Sequence, residues 1–150
     1  NDWTELTPIG NPDALKWSSM IYDSVNQRCI MFGGENGEDH AVDYTWVYDG
    51  SLNTWSRRYP ATAPAGRLNA GLAFDLNNNV IILFGGMVDF ENHYDDTWIY
   101  SYESNVWTDM EEDSDSTTTN YFDFDPMLLA LALPIGAAVI AGILIIRRKT

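Results

Sequence analysis

The sequence predicts an all-β fold of two four-stranded antiparallel units in tandem, followed by one C-terminal transmembrane α-helix. Three observations carry this: an internal repeat at a spacing of 52 residues, short strands set between turn-forming residues in each copy, and an uncharged apolar run from Met127 to Ile146.

The repeat needs no gap. It superposes Trp3 on Trp55, Pro8 on Pro60, Pro12 on Pro64, Asp23 on Asp75, and Phe32-Gly33-Gly34 on Phe84-Gly85-Gly86. It continues with Asp43 on Asp95, Trp46 on Trp98, Tyr48 on Tyr100, Asn53 on Asn105 and Trp55 on Trp107. A fixed period of this length marks stacked supersecondary units rather than a single irregular domain.

Within each copy the first strand is SSMIYD or AGLAFD, and the second is CIMF or IILF, apolar on both faces and therefore central. TWVYD and TWIYS alternate as the third strand, and NTWS and NVWT make the fourth. The links DSVNQ, DLNNN, DGSLN and YESN hold the Asp, Asn, Gly and Ser that tolerate turn geometry, so the strands are expected to pair as antiparallel hairpins. Gly33-Gly34 and Gly85-Gly86 close the second strand where close backbone packing or an unusual φ is expected. They are not read as a phosphate loop, because no GxGxxG or GxxxxGK pattern accompanies them.

The Gly-Gly after an apolar strand, with an aromatic-rich strand about a dozen residues on and a further Trp beyond it, resembles the Kelch repeat, whose blades form β-propellers related to the central domain of galactose oxidase. The resemblance covers residues 1–108 and implies two four-stranded blades of an incomplete propeller. Its repeat-defining structural residues are Trp3, Gly33, Gly34, Trp46, Tyr48, Trp55, Gly85, Gly86, Trp98, Tyr100 and Trp107. Kelch blades often carry an Arg after the Pro that opens the repeat. Arg67 fills that position but Leu15 is its counterpart, which weakens any reading of an arginine ring around a channel. Trp46, Tyr48, Trp55 and their copies are expected to fill the space between blades, since a single sheet cannot bury both of its faces. Two blades do not close a ring, and Trp3 stands as the closing Trp of a blade whose other strands do not precede it. The chain is therefore expected to be the C-terminal part of a larger propeller.

Residues 109–126 are acidic and rich in Ser and Thr, with too little apolar surface to offset the entropy of folding, and read as a stalk. The run 127–146 has the length of a bilayer-spanning helix. Arg147, Arg148 and Lys149 follow it, whereas all 22 acidic residues precede it, so the tail 147–150 is expected in the cytoplasm and the propeller outside the cell, in a single-pass cell-membrane topology. Ala138 and Gly142 offer a small-xxx-small contact to a second helix, though both residues are common in such spans.

A net charge of −14 argues against a nucleic-acid partner, whose phosphates require Lys and Arg. Cys29, the single cysteine, lies in an apolar strand and reads as a packing residue. The loops after the Gly-Gly pairs are acidic, and Asp39, Asp43, Glu91 and Asp95 are the candidate binding residues, able in principle to meet Ca²⁺ or a basic partner, with a plain solvated face as the alternative. No Ser-His-Asp or Cys-His arrangement is legible, and the Tyr, His and cross-linked Cys set of galactose oxidase has no equivalent here. The sequence therefore predicts no catalytic residues and no cofactor. It predicts an extracellular binding or adhesion module that recognises a protein or carbohydrate partner through its loops, the alternative being part of a carbohydrate-directed enzyme whose catalytic residues lie upstream.

Overall fold

The computed structural model describes residues 2–110. The predicted stalk beyond Met110, the span 127–146 and the tail 147–150 lie outside the described residues. Eight strands follow in chain order: β1 (Ser19–Asp23), β2 (Arg28–Phe32), β3 (Thr45–Asp49), β4 (Thr54–Arg58), β5 (Gly71–Asp75), β6 (Val80–Phe84), β7 (Thr97–Ser101) and β8 (Val106–Asp109). They form two antiparallel meanders, β1-β2-β3-β4 and β5-β6-β7-β8, with no helix among the described residues.

Turn chemistry explains the matching registers. The Asp23 carboxylate accepts from the amides of Val25 and Asn26, and the Asp75 carboxylate accepts from those of Asn77 and Asn78, so each Asp closes its own turn. Asp49 does the same with Ser51 and Leu52. Left-handed backbone then recurs at the repeat spacing, at Gln27 and Asn79, at Asn53 and Asn105, and at Trp17 and Asn69. The Tyr48 hydroxyl donates to Asn53 Oδ1 and the Tyr100 hydroxyl to Asn105 Oδ1, each at 2.9 Å.

Strand alternation gives each sheet two faces, and opposite faces of the two sheets meet. Ile30, Phe32 and Val47 of the first sheet pack against Ile81, Leu83, Tyr100 and Trp107 of the second. Phe32 meets Trp107 edge-on with ring centroids 5.0 Å apart, and the buried Trp107 indole donates to Thr45 Oγ1 at 3.0 Å. Both features match what a buried Trp needs: apolar contact for its rings and an acceptor for its N–H. Beside this core β1 runs next to β5, and the Ser19 hydroxyl donates to the Ala70 carbonyl.

The Gly pairs permit the close approach. Gly34, at φ +100°, donates its amide to the Arg67 carbonyl at 2.8 Å, and a Cβ on Gly33 would collide with that same carbonyl. Gly66 in turn has room only for hydrogen, since a Cβ there would lie 2.6 Å from the Ala41 carbonyl oxygen.

Four expectations shift. Trp98, Tyr100 and Trp107 do face the space between the sheets. Their counterparts Trp46, Tyr48 and Trp55 lie on the opposite, outer face of the first sheet, because register carries each copy's aromatics to the same side of its own sheet. Trp3 is fully exposed and lies in no strand. Asp109, assigned to the stalk, pairs with Trp98 as the last residue of β8, and the Met110 amide bonds the Thr97 carbonyl, so the sheet runs past residue 108. Cys29 is half-buried on the outer face, and burial raises its thiol pKa.

Candidate functional site

The loops that join β2 to β3 and β6 to β7 leave equivalent ends of the two sheets. In the first, the Asn36 side-chain oxygen accepts from the amides of Glu38 and His40, which shapes the turn around Asp39. Lys16, on the segment entering β1, exchanges two backbone hydrogen bonds with Glu35 and sets its ammonium against the carboxylates of Glu35 and Asp39, the latter at 3.0 Å. The Lys16 hydrogen bond holds the Asp39 carboxyl below its ordinary value, and the hydrogen bonds to Glu35 and then Asp39 raise Lys16 above its own. In the second loop Asp89 accepts from the Asn92 side chain and from the amides of Glu91 and Asn92, and these bonds, the Asn92 side chain foremost, lower its pKa.

All four candidate binding residues, Asp39, Asp43, Glu91 and Asp95, are exposed, and Asp39 is also paired with Lys16. No group of three His, Cys, Asp or Glu side chains fit to hold a metal ion comes together among the described residues. The acidic loops thus form a charged surface rather than a gathered cation site.

Two arrangements were not anticipated from the sequence. Trp17 and Phe90 touch edge to face at 6.0 Å, Trp17 from the segment before β1 and Phe90 from the β6–β7 loop. They are 41% and 76% exposed. Trp17 adopts φ +59°, a conformation unfavourable for a bulky side chain, and its repeat counterpart in the same left-handed region, at φ +52°, is Asn69, a residue that tolerates it. Phe90 falls opposite Glu38. Aromatics that break the repeat could have been found in the sequence by asking which large residues the shared core does not require.

The second arrangement centres on Arg67, which is 1% exposed. Its guanidinium donates to both oxygens of Asp96, at 2.5 and 2.8 Å, and to the carbonyls of Gly85 and Ala65. It also lies 4.1 Å from the centre of the Tyr94 ring. Asp96 further accepts from the Trp98 indole at 2.8 Å, and the Arg67 hydrogen bonds depress its pKa. Asp96 is therefore turned inward to brace the loop rather than outward to meet a ligand.

On the outer face of the second sheet an open cleft of about 370 Å³ is lined by Asn69, Phe84, Gly86, Met87, His93 and Tyr94. The matching place on the first sheet is filled by Gly66 and Arg67 of the second.

A comparison with protein-family models gives no match, and a comparison with curated proteins gives none either. Fold and site together define, among the described residues, an all-β unit of two stacked antiparallel sheets, built by an internal repeat and carrying charged and aromatic loops at one end.

Proposed function

We propose that the chain is a membrane-anchored binding or adhesion module, built of Kelch-type β-propeller blades and displayed outside the cell, that recognises a protein or carbohydrate partner through its blade loops. The observation that carries this reading is the Trp17–Phe90 pair, exposed between the two sheets where the repeat calls for neither aromatic. Exposed aromatics that bring apolar area together at low entropic cost are recurrent binding anchors. The flanking Lys16, Asp39 and Glu91 supply hydrogen-bonding groups around them. The anchor is the run 127–146, with the basic residues 147–149 on the cytoplasmic side.

Protease added to intact cells that express the chain tests the display. The expected result is loss of the folded region with a small membrane-bound stub left behind. Digestion only after lysis reverses the orientation and removes the surface-binding reading with it. Glycan and protein arrays probed with the full chain and with Trp17→Asn then test the loops, with signal expected for the wild type and lost in the variant.

A further inference from the structure

The two outer faces of this molecule are copies of the two faces that meet in its core. The interface between the sheets is made by Phe32 and Thr45 on one side and Trp107 on the other. At the repeat spacing, Phe32 and Thr45 become Phe84 and Thr97, on the outer face of the second sheet, and Trp107 becomes Trp55, on the outer face of the first. All three residue types are retained. Phe84 is 57% exposed there, and Val106, at the opposite corner of the same face on β8, is also exposed. On the other end Met20 and Tyr22 are exposed, and Trp55 stacks on Tyr48 at 5.1 Å just as Trp107 stacks on Tyr100 at 4.9 Å.

The backbone seat is repeated as well. Gly34 receives the Arg67 segment of the next sheet, and the cleft at Gly86, His93 and Tyr94 is the same seat one repeat later. Gly86 keeps the left-handed φ of Gly34, at +99° against +100°, so its amide is aimed as Gly34's is.

We infer that the chain associates with a second copy of itself head to tail, the Phe84 face of one copy taking the Trp55 face of the next. Such an interface is heterologous, so it leaves one free face at each end and propagates until the rotation closes a ring. Each copy adds its two described sheets, and closure would come at the roughly 4–8 sheets of closed propellers. This goes beyond the loop-binding reading and does not depend on it. Two differences oppose the fit: Ala14 stands where Gly66 stands, and at Gly66 a Cβ would meet a carbonyl oxygen at 2.6 Å, while Gly71 stands where Ser19 donates its hydroxyl to the Ala70 carbonyl. Association is therefore weaker than the internal packing.

The test is sedimentation or light scattering of the full chain in detergent micelles over a range of concentrations. Wild-type chain is expected to show concentration-dependent association. Trp55→Ala and Phe84→Asp each remove one face, and each alone is expected to weaken association by more than about tenfold. Mixed together, the two variants are expected to form a one-to-one dimer, because each still carries the face that the other has lost. Ala14→Gly is expected to tighten association. Unfolding curves confirm that each variant is folded; both substituted side chains lie on outer faces, away from the core. A monomeric wild type, a mixture that stays monomeric, or single variants that associate as well as wild type would overturn the inference. The last outcome would assign the contact to another surface.

Discussion

Arg67 and Asp96 form a two-pronged ion pair within the second sheet, and the first sheet replaces both members together, with Leu15 and Tyr44 at the equivalent positions. In the first sheet the Arg57 guanidinium instead lies 3.5 Å from the centre of the Tyr44 ring. Arg67 has a second task that its counterpart lacks: its carbonyl receives the Gly34 amide, so one residue braces its own loop and joins the sheets.

Removing one partner of a buried pair leaves the other desolvated. Asp96→Ala should lower unfolding stability by about 3 kcal/mol, the lower end for such pairs because Asp96 retains some exposure. The double substitution Arg67→Leu with Asp96→Tyr, which transplants the pair from the first sheet, should cost less than the sum of its single changes. Denaturant titration of all four species measures the coupling.

Acid should weaken the protein through the same carboxylate. Because Arg67 depresses the folded pKa of Asp96, its contribution is complete above the unfolded value of about 3.9 and is lost as pH falls through the lower folded value. Asp96→Asn should flatten the stability profile below about pH 4. An unchanged slope would show that other carboxylates dominate acid unfolding.

The two closing tryptophans should differ. Trp107→Ala opens a cavity between the sheets and should cost about 3–5 kcal/mol. Trp55→Ala, on the outer face, should cost clearly less in the monomer. Equal losses in thermal or denaturant unfolding would contradict the assignment of faces.

Trp17→Asn should be neutral or stabilising, by up to about 1 kcal/mol, because Asn is the residue found at this φ in the other copy and relieves left-handed strain. The same change should abolish ligand binding by the loops. A loss of stability instead would make Trp17 a packing residue and remove the observation on which the loop-binding reading stands.

Much of this architecture was legible from local signals. Every strand was visible as a short apolar or alternating run between Asn, Asp and Gly turns, and the observed elements follow them closely, from Ser19–Asp23 to Val106–Asp109. The repeat itself told which residues are equivalent. It could not tell which face of one sheet meets which face of the next, because CIMF and IILF are apolar on both sides and a side-chain period of two is blind to the neighbour. Stacking decided that Trp107 is core while Trp55 is surface, although the two occupy one position in the repeat. It likewise turned Asp96 inward onto Arg67 while leaving Asp95 exposed, a choice made by an arginine far away in the chain. Strand and turn are determined by neighbours in sequence, so the sequence by itself determined them. Burial, ion pairing and the exposed Trp17–Phe90 contact arise between segments that only folding brings together, and there tertiary structure decided.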